Sequence, residues 1–236
     1  QNPLKNQTSS FNYSYYNDAK RFSINSSVFY TNSKFIFNTS SNLTNDFNFN
    51  SYIQTKGSES YNFNFSFVNY IRKLKLASKI ETLNNWITTP INVNSTDFSN
   101  SKSYINSIKY SATTYFKAPI NFDFGFSYNY FQSYFQGIKT ANITKDYFLN
   151  INYKISQTIL AESNNALYLV NNQTYSFNNI VLSYTPKESK FSYRFMFNNL
   201  INENQCTYIL INNYSYYQSN IQLVPRYLLG TIKYRF

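Results

Sequence analysis

The stretch 121–130 reads NFDFGFSYNY, and it decides the fold class of this chain. Every second position is aromatic: Phe122, Phe124, Phe126, Tyr128 and Tyr130. Small or polar residues occupy the positions between them. Successive side chains of a β-strand point to opposite faces, so a period of two places all of these rings on one face. A helix of about 3.6 residues per turn would scatter the rings around its circumference, which excludes the helical alternative.

The same period of two recurs along the chain, most clearly at 61–68, 147–155, 191–198 and 228–236. It predicts about a dozen strands, near residues 9–17, 20–31, 33–42, 46–70, 73–85, 102–116, 120–133, 143–155, 159–170, 175–185, 190–200 and 226–236. The segment 46–70 is too long for one ordinary strand. We expect it to be either a long strand with a bulge at Gly57 or two strands.

The predicted connections alternate between short and long. Short ones lie near 31–34, 72–73, 117–119, 156–158 and 186–190, and the longer ones span 86–101, 134–142 and 201–225. Short turns at one end and long loops at the other are typical of outer-membrane barrels. The chain is therefore predicted to be all-β, an antiparallel up-and-down transmembrane β-barrel of about 12 strands in which residues 1–236 form a single outer-membrane region.

The composition separates this barrel from a soluble β-sandwich, whose strands also alternate. Aromatic residues make up 21% of the chain and charged residues only 13%, where soluble domains carry roughly 25% charged residues. A sandwich would usually have more charge outside, more Val and Ile inside, and more than the 4 Gly and 5 Pro present here. The composition therefore favours the barrel.

The residue types also limit the chemistry that the chain can perform. It contains no histidine, and its single cysteine is Cys206. Without histidine there is no His-based zinc site, no Ser-His-Asp triad and no histidine to activate the thiol. We therefore expect no catalytic, metal or cofactor site and no enzymatic activity. The net charge of +11 comes from basic residues scattered singly, so no nucleic-acid partner is expected.

The alternation assigns the side chains to two faces. Phe122, Phe124 and Phe126 should face lipid, with Tyr128 and Tyr130 near an aromatic girdle. Charged residues should avoid that face, because a charge at the bilayer centre costs about 2–4 kcal/mol. The charged residues that alternate with the aromatic ones, and so lie on the polar side of their strands, are predicted to face the lumen: Lys109, Asp123, Lys154, Arg194, Lys233 and Arg235.

The C-terminal part carries a resemblance to a known family. The strand end Phe197-Asn198-Asn199-Leu200 is followed by a long polar loop, by Pro225-Arg226, and by a last strand that ends in Phe236. This arrangement resembles the C-terminus of TonB-dependent receptors, and in particular the outer-membrane β-barrel proteins of Bacteroidota. In that family the assembly machinery recognises the last strand, which implies an assembly signal formed by Ile232, Tyr234 and Phe236.

The resemblance also implies a function. It indicates a barrel of about 22 strands, of which this chain carries the C-terminal part, with the plug domain absent from it. Such a receptor takes up a scarce nutrient across the Gram-negative outer membrane, for example a metal chelate, a vitamin or an oligosaccharide. The implied partners are outer-membrane lipid, the barrel assembly machinery, the TonB complex through the plug region, and a surface lipoprotein.

A second interpretation stays open beside the resemblance. The chain could be a complete smaller barrel that acts as a passive pore, or as a structural or secretion-associated component of the outer membrane.

Overall fold

The alternating segments form strands in the computed structural model, which describes residues 5–43, 48–93, 98–170, 173–211 and 216–235. The strands are β1 (Asn6–Asn17), β2 (Phe22–Ser33), β3 (Phe35–Leu43), β4 (Asn48–Lys56), β5 (Glu59–Ile71), β6 (Leu76–Val93), β7 (Ser99–Thr114), β8 (Ile120–Phe135), β9 (Ile138–Lys154), β10 (Ile159–Val170), β11 (Gln173–Tyr184), β12 (Phe191–Asn198), β13 (Gln205–Ile211), β14 (Tyr216–Gln222) and β15 (Tyr227–Tyr234). The described residues include no helix, and so none that could cross a membrane.

Most of these strands belong to one antiparallel sheet, whose path runs β1-β2-β5-β6-β7-β8-β9-β10-β11-β12-β15. Strands β3 and β4 form a hairpin between β2 and β5, and β13 and β14 form another between β12 and β15. A short parallel contact joins β3 to β6 at Ser40 and Asn92. The predictions of an all-β chain and of antiparallel pairing are confirmed. Within the described residues the path ends at β1 and β15, and the sheet does not close into a barrel.

The register divides the sheet into two faces, because directly opposed residues of antiparallel strands point to the same side. Phe124 on β8 lies opposite Ala112 on β7 and Leu149 on β9. Its neighbour Asp123 lies opposite Asn150. We call the side that carries Phe124 the aromatic face and the side that carries Asp123 the polar face. The pairs can be followed without interruption from β1 to β15, so the two names apply to every strand of the path.

The two ends of the sheet differ in their connections. At one end the strands are joined by the turns 18–21, 72–75, 115–119, 155–158 and 185–190. We call this the short-turn end. The opposite end carries both hairpins, and β6 and β7 extend there beyond their neighbour β5.

Gly57 explains why the segment 46–70 is two strands. A Cβ at this position would lie 0.9 Å from the backbone oxygen of Ser33, so only glycine fits against the end of β2. The Gly57 amide donates to the backbone oxygen of Lys34 at 2.9 Å, and the Ser33 amide donates to the oxygen of Ser58 at 2.9 Å. These bonds end β4 and start β5. Of the two alternatives predicted for this segment, two strands is correct.

Three predicted loops contain more regular structure than expected. The segment 201–225 holds the β13–β14 hairpin, and the segment 86–101 lies largely within β6 and β7. Between β8 and β9 the expected loop is a tight turn at Gln136 and Gly137, which both have positive φ angles of 48° and 81°. Two such residues form a type I′ hairpin turn, whose usual sequence signal is Asn-Gly or Asp-Gly. Within the described residues, fifteen strands therefore replace the predicted dozen.

Few hydrophobic side chains are buried in this fold. The buried hydrophobic residues of the described part are Ile91, Ala112, Phe135, Tyr175 and Val181. The most deeply buried side chains also include two serines, Ser101 and Ser133, each with 1% exposure. The protein thus does not gather its many aromatic rings into a core, and the rings lie on the surface of the sheet instead.

Candidate functional site

The polar face carries the charged residues that the sequence singled out. Lys109, Asp123, Lys154, Arg194 and Lys233 all project from it, according to the register of their strands. Arg235 follows β15, and its backbone amide donates to the Lys190 oxygen at 2.9 Å. These residues belong to β7, β8, β9, β12 and β15, so the fold distributes them along a wall and does not gather them at one point.

Asp123 belongs to a cross-strand hydrogen-bond network. The Thr113 hydroxyl donates to its Oδ1 at 3.0 Å, and the Asn150 Nδ2 donates to its Oδ2 at 3.3 Å. Three polar-face positions further along β8, the Asn129 Oδ1 accepts from the Ser107 hydroxyl at 2.7 Å. These bonds join β7, β8 and β9 on the polar face. Asp123 therefore contributes to the structure of the wall.

A first concavity of about 470 Å³ lies over the polar face of β1, β2, β5, β6 and β7. Its lining is mostly Asn and Ser, with one carboxylate, Glu81, and one ammonium, Lys109, which lie opposite each other on β6 and β7. Glu81 also forms an ion pair with Lys79 at 2.7 Å. The sequence analysis did not select Glu81, although its position on the polar side of the predicted strand 73–85 was a usable signal. The concavity combines both signs of charge.

The β13–β14 hairpin folds back over the polar face of β11. The Thr207 amide of β13 donates to the hydroxyl of Tyr175 at 3.1 Å, and Tyr175 projects from the polar face. The Ser176 amide donates to the Glu203 carboxylate at 3.2 Å. At the base of the hairpin, the amide of Asn199 donates to the side-chain oxygen of Asn179 at 2.9 Å. The segment 201–225, which the sequence predicts to be a long loop, is therefore held against the polar face of the sheet.

Asn199 anchors both ends of this hairpin. Its Nδ2 donates to the backbone oxygens of Glu203 at 2.8 Å and of Val224 at 2.9 Å. Its Oδ1 accepts from the Glu203 amide at 2.9 Å. Its φ of 53° lies in the left-handed region, which asparagine tolerates better than most residues. A buried asparagine at this position thus fixes where the hairpin leaves and rejoins the sheet.

A second concavity of about 560 Å³ lies between the hairpin and the wall formed by β9, β10 and β11. Its lining contains no charged residue: Phe148, Asn150, Asn164, Asn165, Ala166, Tyr168, Phe177, Asn179 and Cys206. The rings of Tyr168 and Phe177 are in edge contact, with centroids 5.7 Å apart. Amides and rings together can donate and accept hydrogen bonds and cover an apolar surface. This arrangement suits a small, neutral, polar ligand.

Cys206 contributes its thiol to the second concavity. Burial, and after it the carboxylate of Glu203, raise the pKa of the Cys206 thiol above its ordinary value. A raised pKa lowers the thiolate fraction at neutral pH, so the thiol is a weak nucleophile there. The geometry gives Cys206 a place in the lining. The described residues also hold no group of three or more metal-ligating side chains that could bind an ion.

The aromatic face is exposed from one edge of the sheet to the other. Phe11 on β1 is 65% exposed, Phe126 on β8 40%, and Phe195 on β12 44%. Rings touch across the strands: Tyr110 lies 5.9 Å from Phe126, and Phe126 lies 6.5 Å from Tyr147, between centroids. The result is a largely apolar surface, which Ser163 and Asn165 interrupt on β10.

Two residues of the predicted assembly signal lie on this aromatic face. Ile232 and Tyr234 of β15 lie opposite Tyr193 and Phe191 of β12, and Ile232 is 68% exposed. Phe236 lies outside the described residues. The assembly role stays a prediction.

Comparisons of this chain with known protein families, with curated proteins and with solved structures find no match.

Proposed function

We propose that this chain forms part of the wall of an outer-membrane transport barrel in a Gram-negative bacterium, with the aromatic face against lipid and the polar face lining the transport path. The TonB-dependent receptors that its C-terminal stretch resembles supply the specific proposal. In that proposal a plug region outside this chain gates the uptake of a scarce nutrient, and the TonB complex energises it.

The observation that carries this proposal is the exposed aromatic face. Soluble monomers rarely expose a contiguous apolar patch of more than a few hundred Å². Here every strand of the path except β10 exposes at least one large hydrophobic side chain on the aromatic face, whereas β10 contributes Ser163 and Asn165 to the middle of that face. Burial of such a surface in lipid removes it from water, at roughly 25 cal/mol per Å² of apolar area. The sheet gains this stabilisation in a bilayer, since it has almost no core of its own.

The positions of the charged residues support the same orientation. The aromatic face carries Glu59, Lys102, Lys139 and Lys145. The first three lie toward the end of the sheet away from the short turns, and Lys145 lies near mid-strand, level with Phe65. On β5 the uncharged stretch runs from Tyr61 to Ile71. At about 3.3 Å per residue and a tilt of about 40°, it spans roughly 25 Å along the membrane normal, the height of a barrel's apolar band.

The polar face has the chemistry of a wetted wall. Several buried polar atoms have no hydrogen-bond partner among the described residues: Asn85 Oδ1, Ser101 Oγ, Asn142 Oδ1 and Asn198 Nδ2. All of these residues belong to the polar face. Buried polar atoms of this kind are normally satisfied by ordered water. A hydrated lumen supplies that water, whereas lipid could not.

The alternative, a passive pore, is favoured by one observation: the β13–β14 hairpin lies over the polar face, where it would narrow a lumen.

The two functions differ in their need for energy. We expect labelled chelate, vitamin or oligosaccharide probes to enter cells that express the full-length gene, and entry to stop when an uncoupler removes the proton gradient. Entry that continues under the uncoupler would establish the passive pore instead. No difference in entry from cells that lack the gene would contradict both functions.

A further inference from the structure

We propose that the short-turn end of the sheet binds the phosphate headgroups of anionic phospholipids in the membrane leaflet that it meets. This inference rests on the proposed function as a membrane barrel, and it adds a lipid-binding surface that transport does not require. The surface is formed by the basic residues of the turns 18–21, 72–75, 115–119 and 185–190, together with Arg235. We call these residues the basic rim.

The basic rim holds most of the net charge of the chain. The five short turns and Arg235 carry nine basic and two acidic residues, which gives +7 of the net charge of +11. The described connections at the opposite end of the sheet carry Lys34 and Arg226 against Glu203, a net charge of +1. Basic residues that are scattered along the sequence are thus gathered by the fold at one end of the sheet.

The described part of the protein does not neutralise this charge. All residues of the basic rim are exposed except Lys75, which is half-buried. Among the described residues the only ion pair joins Lys79 and Glu81, which lie on β6 outside the rim. Asp18, an acidic residue of the first short turn, accepts a hydrogen bond from the Tyr16 hydroxyl at 3.1 Å instead. The charge of the rim is therefore available to an anion from outside the described chain.

Two of the short turns place a basic residue where the backbone favours another residue type. Arg21 and Lys75 have φ angles of 54° and 47°, in the left-handed region that glycine and asparagine adopt most readily. Elsewhere in this chain asparagine takes that conformation, at Asn199 and Asn202. The turn geometry alone thus does not explain the two basic residues, which indicates that their charge has a role of its own.

A row of tyrosines on the aromatic face borders the basic rim. Tyr15, Tyr153, Tyr184 and Tyr234 each lie within two residues of the short-turn end of their strand, and their exposure is 40–45%. Tyrosine is enriched at membrane–water interfaces, where its ring lies at headgroup level. The Lys190 ammonium lies 5.7 Å from the centroid of the Tyr234 ring, so a rim cation reaches this row. The rim therefore lies in the headgroup region, which is about 5–8 Å deep on each side of the hydrocarbon core.

This position identifies the anion as lipid phosphate. The short turns of outer-membrane barrels face the periplasm, so the rim meets the periplasmic leaflet. Long Lys and Arg side chains extend from the ends of membrane-spanning elements to the interface, and an anionic membrane surface attracts them. An acidic protein would meet the same charge, but the row of tyrosines would have no part in its binding. The combination of tyrosines and cations favours lipid.

The test uses the full chain in bilayers and a tryptophan next to the rim. Trp86→Phe removes the native tryptophan, and Tyr153→Trp places one in the row of tyrosines. The bilayers contain phosphatidylcholine and phosphatidylglycerol, and each lipid in turn is brominated in its acyl chains so that it quenches the tryptophan on contact. The ratio of the two quenching efficiencies gives the preference of this part of the surface for the anionic lipid.

Two sets of substitutions in this background change the net charge equally. The rim variant removes four exposed ammonium groups of the short turns: Lys20→Gln, Lys73→Gln, Lys117→Gln and Lys187→Gln. The control variant removes four exposed ammonium groups toward the opposite end of the sheet: Lys5→Gln, Lys56→Gln, Lys102→Gln and Lys139→Gln.

We expect a several-fold preference for phosphatidylglycerol in the parent protein, its loss in the rim variant and its retention in the control variant. At about 1 M salt the preference of the parent should disappear, because the screening length is then only about 3 Å. Equal quenching by the two lipids in the parent would overturn the inference. So would a preference that survives high salt, one that the rim variant keeps, or one that the control variant loses as well. The salt measurement needs no rim substitution, so it decides even where the rim variant fails to fold.

Two further outcomes have other meanings. Soluble polyglutamate is added to the protein in pure phosphatidylcholine bilayers. If it binds to the parent and not to the rim variant, while the parent shows no lipid preference, the rim is a site for an acidic protein and the lipid inference is overturned. A tryptophan at position 153 that neither lipid quenches would instead contradict the proposed function, because the aromatic face would not contact lipid.

Discussion

At the scale of single residues, Gly125 shows how closely the strands approach one another. A Cβ at Gly125 would lie 2.3 Å from the backbone oxygen of Tyr110 and 2.7 Å from the Phe148 ring. Gly125→Ala should therefore destabilise the fold by about 1–3 kcal/mol, as overpacking does. Because the backbone contact remains, Phe148→Ala should not rescue it. The measurement is the urea midpoint of the protein in bilayers.

Gly230 is the matched control for this prediction. It also lies within a strand, but a Cβ there would meet only the Phe195 ring, at an ordinary distance of 3.8 Å. Gly230→Ala should leave the urea midpoint almost unchanged. If both substitutions have the same effect, the loss of stability reflects strand glycines in general and not the contact at Gly125.

Asn199 supports a second residue-scale prediction. Asn199→Ala removes hydrogen bonds of about 1 kcal/mol each and should release the hairpin from the polar face. Alkylation of Cys206 by a maleimide should then become several-fold faster. The control is Asn204→Ala, since Asn204 holds the hairpin through its backbone oxygen, which accepts from the Leu223 amide. An unchanged alkylation rate in Asn199→Ala would contradict the anchoring role.

The raised pKa of Cys206 gives the pH dependence of the same reaction. Alkylation requires the thiolate, and a raised pKa means that the thiolate forms only above the ordinary thiol range. In the folded protein the alkylation rate should still increase with pH where that of a free cysteine, with a pKa of about 8.5, has levelled off. In Asn199→Ala the profile should shift toward lower pH, because the thiol gains access to water.

At the scale of strands, sequence alone predicted the faces better than the connections. The period of two is a local property of a strand, so it assigned Phe124 and Asp123 to opposite faces without knowledge of their neighbours. The β13–β14 hairpin escaped the sequence analysis because it is held against the sheet through Tyr175, which is 32 residues from its partner Thr207 in sequence. The Gln136–Gly137 turn escaped it because glutamine is an unusual first residue for a type I′ turn.

The second concavity also could not be predicted from sequence. Its lining combines Phe148 of β9, Phe177 of β11 and Cys206 of β13. Only the folding of the hairpin back onto the sheet brings these residues together, and no motif within one segment signals it. By contrast, the alternation of residues was enough to place Lys109 and Asp123 on the polar face.

Arginine substitutions at two neighbouring residues of β9 test which face of the sheet contacts lipid. Leu149 lies on the aromatic face, opposite Phe124, and Asn150 lies on the polar face, opposite Asp123. Leu149→Arg should reduce the free energy of unfolding in bilayers by about 2–4 kcal/mol, since it places a charge in lipid. Asn150→Arg places the same charge in a wet lumen beside a carboxylate and should cost little. Equal losses would argue against a lipid-facing surface.

At the scale of the whole molecule, the protein inverts the arrangement of a soluble fold. Exposed rings lie on the aromatic face, and amide side chains line both concavities of the polar face. Under the proposed function, hydrogen bonds between strands and lipid around the aromatic face replace a hydrophobic core as the source of stability. A detergent-free, lipid-free solution should therefore not support this fold.

The orientation of the two faces relative to lipid is the central claim, and a single fluorescent residue tests it most directly. Trp86 is the one tryptophan of the chain, so Trp86→Phe provides a dark background. Phe126→Trp then places a tryptophan on the aromatic face, and Phe148→Trp places one on the polar face. The two positions lie at nearly the same level along the strands, because Phe126 opposes Tyr147 and Phe148 opposes Gly125. Each protein is reconstituted in bilayers with lipids brominated along their acyl chains, which quench tryptophan on contact.

The account predicts strong quenching of the tryptophan at position 126 and almost none at position 148. Equal quenching at the two positions, or stronger quenching at 148, would contradict it.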